Sequence, residues 1–160
     1  MKLTEEQKVQ YLETLWDITL KCYSGVEVPE KSLFERCVKS GDVWVINNGY
    51  RLLSESTNPF PTDYVVGYAL VTPGNSEGIR PVLRSISVLA RWRGVGYGGG
   101  LLMALSRHYA REGCSQIILY CKVDNPAQIL YFKAGYRVTA FLRGYYKPEG
   151  DGLEMRKNLS

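Results

Sequence analysis

The sequence predicts an α/β (α+β) protein, one domain over 1–160, in which about six or seven strands form a mixed sheet flanked by about four helices. Three observations carry that expectation. Apolar residues at helical spacing alternate with short runs rich in β-branched residues, bounded by Gly, Pro and Asn. The chain closes on two strand-like runs joined by a polar hairpin, which breaks a purely parallel pattern. In the middle, Val82 to Leu102 reads as a strand, a glycine-rich turn and a leucine-bearing helix.

In chain order, Thr4-Glu5-Glu6-Gln7 has the form of a capping box, with Thr4 as N-cap and Gln7 at the third helical position. Val9, Leu12, Leu15, Trp16 and Ile18 follow at helical spacing to about Cys22, and Ser24-Gly25 is expected to stop that helix. Pro29 opens a second helix carrying Leu33, Phe34, Cys37 and Val38, ended by Ser40-Gly41. Trp16 and Phe34 read as core aromatics. Val43 to Ile46 is a strand, Asn47-Asn48-Gly49 a turn, and Tyr50 to Leu53 its continuation as a partner. Ser54 to Asp63 is a loop of turn formers. Tyr64 to Thr72 is a nearly continuous apolar strand, and no strand is expected before the first helix. Beyond the central stretch, Glu112-Gly113 ends a helix and Gln116 to Val123 is a buried strand. Asp124-Asn125 caps a helix with Pro126 first, which carries Ile129, Leu130 and Phe132 and stops at Ala134-Gly135. Tyr136 to Leu142 and a last strand with Leu153, Met155 and Leu159 flank the hairpin from Arg143 to Asp151.

Composition narrows the function. A hydrophobic content of 45% with 22% charged residues is ordinary for a globular chain. The net charge of +4 suits an anionic ligand but is too small and scattered to argue for nucleic acid. Cys22, Cys37, Cys114 and Cys121 form no C-x-x-C pair and there is one histidine, so no metal site is expected and the thiols read as free. Met1 to Glu6 lacks an apolar leader core and no apolar run would span a bilayer, so a cytoplasmic protein without membrane association is expected.

The central turn holds Gly94, Gly96, Gly98, Gly99 and Gly100. Glycines let a chain turn with φ > 0 and leave no side chain between backbone N–H groups and a ligand. Followed by a helix N-terminus, such a turn suits an anion, usually a phosphate. Arg93 adds a cation at its mouth. Gly94 to Gly99 fits G-x-G-x-x-G, a dinucleotide fingerprint, with Asp124 as a possible ribose acid, although the pattern lies past mid-chain. A nucleoside-triphosphate P-loop is excluded, because no Gly-Lys-Ser/Thr follows. Arg93 to Gly98 also fits R-x-x-G-x-G, and a tight turn with no ligand is the bland alternative.

Ser85 to Leu102 resembles the acetyl-CoA-binding motif of the GNAT superfamily of acyl-CoA N-acyltransferases: a strand, an aromatic (Trp92), Arg93-x-x-Gly-x-Gly, and a helix opened by Leu101-Leu102. Ala90 stands where the family often has proline. Asn125 to Tyr136 resembles the second motif of that family, with Tyr131 as its tyrosine and Gly135-Tyr136 as its Gly-aromatic end. Counting back from Tyr131 puts Asp124 at the motif's asparagine, so either Asp124 or Asn125 takes that role. The resemblance runs from about Val65 to Leu159 and is similar there to ribosomal-protein N-terminal acetyltransferases.

What the resemblance implies is a three-layer fold with a mostly antiparallel sheet, and acetyl-CoA as acyl-donor co-substrate without a metal. Ile86, Ser87 and Val88 would pair with the pantetheine arm, and Arg93, Gly94, Val95, Gly96, Tyr97, Gly98 and Gly99 would hold the pyrophosphate. Asn125 would contact pantetheine as well. The Val88 N–H would polarise the thioester, and Tyr131 would be the acid for the departing thiolate. The family's base position falls on Tyr120, with Glu77, Ser85, Glu154 or a water chain as alternatives; a phenol is a poor base at its ordinary pKa. Arg143-Gly144-Tyr145-Tyr146 resembles the Tyr-Tyr hairpin that lines the acceptor path in peptide N-terminal acetyltransferases. The expected partner is a peptide or protein N-terminus, or a small-molecule amine, and the chain a monomer or homodimer. A non-catalytic acyl-CoA sensor with this fold is the competing class.

Overall fold

Helix α1 (Glu5–Cys22) starts where its capping box stands: Thr4 Oγ1 accepts from the Gln7 N–H at 3.3 Å, and Gln7 Oε1 from the Thr4 N–H at 3.0 Å. The computed structural model describes residues 1–23, 29–47, 64–147 and 150–159. The expected helix stop at Ser24-Gly25, the partner strand Tyr50–Leu53 and the loop Ser54–Asp63 lie outside the described residues. Helix α2 (Lys31–Ser40) is followed by β1 (Asp42–Asn47), β2 (Val65–Thr72) and β3 (Val82–Val88). Then come α3 (Tyr97–Arg111), β4 (Gln116–Lys122), α4 (Gln128–Lys133), β5 (Arg137–Leu142) and β6 (Gly152–Asn158). The six described strands take the order β1-β2-β3-β4-β6-β5. With the four helices this is the mixed α/β architecture expected. The residues ahead of α1 form a single antiparallel bridge, Lys2 with Trp44, where no strand was expected.

Three helix starts differ from expectation, the first being α2, which begins at Lys31, two residues past Pro29. Helix α3 begins at Tyr97 and takes Gly98, Gly99 and Gly100 into its first turn, where the sequence suggested a loop as far as Leu101. The buried face of Leu101, Leu102, Leu105 and Tyr109 anchors the helix and overrides the poor propensity of glycine. Helix α4 begins at Gln128, two residues past Pro126, because the Gln128 N–H is taken by the Asn125 carbonyl in a tight turn. Its Ile129 and Phe132 are exposed, and Tyr131 is the residue it buries.

The chain groups into two compact units, one of Met1–Leu70 with Ser85–Leu101, the other of Val71–Arg84 with Leu102–Ser160. In the first, Tyr11, Leu15 and Ile18 of α1 and Phe34 and Val38 of α2 pack with Val43, Val45 and Tyr68. Phe34 is buried in this core, as expected, and Trp16, half-buried, packs against it with 5.2 Å between the two ring centres. Each large apolar side chain so buried contributes roughly 1.5–3 kcal/mol. The Tyr68 hydroxyl, buried among them, sits 2.7 Å from Thr19 Oγ1 and 3.2 Å from Ser85 Oγ. Burial pushes its pKa up and keeps it neutral.

In the second unit β4 pairs parallel with the start of β3 (Val82 opposite Ile118) and antiparallel with β6 along its length (Gln116 opposite Asn158, Lys122 opposite Gly152). Strand β5 pairs antiparallel with β6, interrupted at Thr139 by a bulge. Ile117, Leu119 and Met155 are fully or almost fully buried there. The turn before β3 is closed by Gly74: a Cβ there would stand 2.3 Å from the Ile79 carbonyl oxygen and 2.4 Å from the Pro81 ring. Backbone and ring cannot swing aside, so Gly74→Ala is expected to cost about 1–3 kcal/mol or more, read as a fall in chemical-denaturation midpoint. A midpoint within error of wild type would show that the turn gives way. The four cysteines are free, Cys114 and Cys121 buried, Cys22 and Cys37 half-buried. Among the described residues no helix is long and apolar enough to cross a membrane.

Candidate functional site

Ten of the predicted site residues lie in one continuous strand, turn and helix of the first unit: Ile86, Ser87, Val88, Arg93, Gly94, Val95, Gly96, Tyr97, Gly98 and Gly99. Ser87 and Val88 are buried at the end of β3. The Val88 carbonyl accepts from Arg93 Nε at 2.8 Å and from the Cys22 thiol at 3.5 Å, while the Leu89 N–H donates to the Val66 carbonyl at 2.9 Å. Arg93 therefore braces the turn against the strand end. Its terminal amino groups hydrogen-bond to none of the described residues, and its side chain lies in an exposed turn.

Between them, Ala90–Trp92 makes one 3₁₀ turn. The Trp92 and Tyr97 rings meet edge to face at 6.0 Å, and the Trp92 indole nitrogen is buried with no hydrogen-bond partner among the described residues. Gly94 (φ +80°) and Gly96 (φ +98°) are the turn's two left-handed residues, a conformation that costs a side-chain-bearing residue about 1–2 kcal/mol. A Cβ built on Gly94, Gly96 or Gly99 meets nothing within 4 Å. The first intrahelical bond runs from the Gly100 N–H to the Gly96 carbonyl, so the N–H groups of Tyr97, Gly98 and Gly99 have no acceptor within the helix. The glycines thus leave an open cradle before the positive end of the α3 dipole. Open space, unclaimed N–H donors and a guanidinium fit a diphosphate.

Asn125 and Tyr131, the other predicted site residues, lie in the second unit. Asn125 Oδ1 accepts from the Ala127 N–H at 2.8 Å, so Asn125 rather than the exposed Asp124 is built into the turn. Tyr131 is 7% exposed, its ring edge to face with Tyr136 at 6.1 Å. The Tyr136 hydroxyl is buried with no hydrogen-bond partner among the described residues, and burial, then the nearby Tyr131, push its pKa above the ordinary range.

Of the candidate bases, Glu77 is exposed in a turn and Ser85 is bonded to Tyr68. Tyr120 and Glu154 meet. They face one another across β4 and β6, and the Tyr120 hydroxyl donates to Glu154 Oε2 at 3.3 Å. Glu154 Oε1 accepts from Thr139 Oγ1 and from Arg156 Nε, both at 2.7 Å. The Tyr145 ring stacks on Tyr120 at 5.3 Å with planes 17° apart. The hydroxyl of Thr139 and the guanidinium of Arg156 hold the Glu154 carboxyl below its usual range. Burial, then the adjacent carboxylate, raise the Tyr120 phenol. Tyr120 is therefore a proton donor to Glu154 and no base of ordinary strength. Sequence reasoning raised both residues separately and missed their pairing and Thr139; matching the alternation of β4 and β6 across the hairpin was the available signal.

Over residues 12–136 the chain matches the model of the acetyltransferase (GNAT) family. It is similar to an uncharacterised N-acetyltransferase of Methanocaldococcus jannaschii, 34% identical over 95 residues, 58% of this chain and 59% of that protein. It is also similar to N-alpha-acetyltransferase 20 of Dictyostelium discoideum, 30% identical over 116 residues, 67% of this chain and 61% of the relative. The matches thus span about three fifths of those curated relatives. The ribosomal-protein-S18-alanine N-acetyltransferase of Escherichia coli has the same fold, with a TM-score of 0.75 at 18% identity over 100% of this chain and 95% of that one. The family match covers both motifs, and the fold and the glycine cradle agree with it: the chain belongs to the acetyltransferase (GNAT) family.

Proposed function

We propose that the protein transfers an acetyl group from acetyl-CoA to a primary amine by direct attack in a ternary complex, and that the amine is the N-terminus of a peptide or protein ahead of a small-molecule amine. The observation that carries the reading is the cradle: two left-handed glycines, open space at Gly94, Gly96 and Gly99, and free N–H donors at the head of α3. Its place in the family motif supports coenzyme A over a dinucleotide. Two of the three similar proteins are named as an N-alpha-acetyltransferase and a ribosomal-protein-S18-alanine N-acetyltransferase, which favours a peptide or protein acceptor.

When bound, acetyl-CoA supplies the thioester that is cleaved. The chain's own residues would then share five tasks. The amides from Gly94 to Gly99, with Arg93, hold the diphosphate by charge and hydrogen bonds. The main chain of Ile86 to Val88, with Asn125, takes the pantetheine arm, and the Val88 N–H polarises the carbonyl. The Tyr131 phenol gives its proton to the sulfur as the C–S bond breaks, and the proton that the amine nitrogen loses as the C–N bond forms leaves through a water chain, which restores the phenol. Tyr145 and Tyr146 flank the acceptor path. The test is thiol release from acetyl-CoA against a panel of synthetic peptides with free N-termini and of small primary amines, with mass spectrometry of the products. Acetylated peptide is the expected result. Stabilisation by acetyl-CoA in a melt with no thiol released would favour an acyl-CoA-binding module instead, a reading that the tyrosine at the base position motivates.

A further inference from the structure

Tyr120 is held in two ways at once. Its ring plane is set by Tyr145, which stacks on it, and its hydroxyl is set by Glu154, directly opposite on β6. Glu154 is itself fixed from the other side. Thr139 and Arg156 both donate to Oε1, which leaves Oε2 for Tyr120. Thr139 reaches the carboxylate because the β5 bulge inserts it between Val138, opposite Met155, and Ala140, opposite Glu154; a bulge re-aims a side chain in this way. A carboxylate clamped by a hydroxyl and a guanidinium is a weak proton sink, so proton transfer from an amine to Glu154 runs uphill. What it does is accept, closely from Thr139 and Arg156 at 2.7 Å and over a longer 3.3 Å from Tyr120. With the phenolic proton directed at Glu154, the Tyr120 oxygen turns its lone pairs to any further partner.

We propose that Glu154 is a positioning residue: by taking the Tyr120 proton it turns the Tyr120 oxygen into an obligatory hydrogen-bond acceptor for an N–H of the acceptor amine. That inference rests on the amine-acetylating function proposed above. A neutral primary amine has two N–H groups and one lone pair. Tying one N–H to a fixed oxygen limits rotation about the carbon–nitrogen bond and lets the lone pair face a carbonyl.

The experiment is a double-mutant cycle of Tyr120→Phe, Glu154→Gln and both together. Steady-state thiol release is read with a mixture of synthetic tetrapeptides beginning with Ser, Ala, Gly or Met, and with spermidine as the small-amine probe. With glutamine at 154, Thr139 and Arg156 claim the single amide oxygen and the NH₂ group faces Tyr120. The phenol must then accept, and its proton swings toward the substrate. Each single variant is expected to lose about 10-fold or more in kcat/KM for the acceptor, with the KM for acetyl-CoA within about 2-fold of wild type. The double variant is expected to be no worse than Tyr120→Phe, because Glu154 acts only through Tyr120. Glu154→Asp, which keeps the charge but withdraws it by one methylene, is expected to fall in the same direction and serves if Glu154→Gln does not fold. Wild-type acceptor kcat/KM in the Glu154 variants, or single losses that add in the double, would overturn the positioning role and leave the proposed activity standing. No thiol release by the wild-type protein with any probe would overturn the acceptor class, and the positioning role with it.

Discussion

Gly96→Glu is expected to lower the affinity for coenzyme A by about 100-fold or more, beyond detection in a calorimetric titration. Two effects act together. The new side chain starts in space where a Cβ meets nothing within 4 Å, so the protein itself does not oppose it, and it fills the cradle in place of the diphosphate. Its carboxylate also sits at the positive end of α3, where it takes up the field that an anionic ligand would use. The backbone adds a smaller term: φ at Gly96 is +98°, and a residue with a side chain pays about 1–2 kcal/mol there. Gly96→Ala isolates that term, since it carries the strain without the charge or the bulk. It is expected to lower stability and to weaken coenzyme A binding much less than the glutamate does. Circular dichroism checks that both variants fold. Unchanged coenzyme A affinity in Gly96→Glu would remove the cradle from the binding site, and stabilisation of the wild-type protein by NAD but not by coenzyme A would return the turn to the dinucleotide class.

Tyr131→Phe is expected to reduce kcat by about 100-fold while the acetyl-CoA dissociation constant stays within about 2-fold, the loss typical of removing a general acid. The substitution deletes only the hydroxyl. The ring that packs edge to face with Tyr136 at 6.1 Å is retained, as is the main-chain bond from the Tyr136 N–H to the Tyr131 carbonyl. A drop in kcat with normal acetyl-CoA affinity thus separates proton donation from packing. Full turnover in Tyr131→Phe would show that the residue is a packed helix tyrosine and no more. Tyr136→Phe is the matched control. Its hydroxyl is buried without a partner among the described residues, so deleting it is expected to leave activity intact and to be neutral or slightly stabilising.

Much of the molecule was legible before any fold was known, and what was legible was local. The Thr4–Gln7 capping box, the apolar stripe of α1, the unbroken apolar run of β2 and the left-handed glycines of the central turn each depend on residues a few positions apart. Helical spacing placed Phe34 in the core, and Trp16 packs half-buried against it. The failures have one cause as well. Gly98 to Gly100 read as loop because glycine disfavours helix by about 1 kcal/mol per residue, yet they are helical because Leu101, Leu102 and Leu105 bury the turns that follow. In α4 the sequence marked Ile129, Leu130 and Phe132 as the apolar residues without fixing which face turns inward, and the packed structure buries Tyr131 and leaves Ile129 and Phe132 exposed.

The amino-acid sequence by itself determined the order of the described elements, the glycine turn ahead of α3, the two motifs and the family to which they belong, because each is written in neighbouring residues whose backbone and burial preferences act without distant partners. Only the tertiary structure decided that Tyr120 meets Glu154 across 34 positions of chain, that a bulge delivers Thr139 to the same carboxylate, and that Tyr145 stacks above them. Those contacts depend on strand register, and register is set by how the sheet packs as a whole, with one residue of slip enough to send every side chain of a strand to the opposite face.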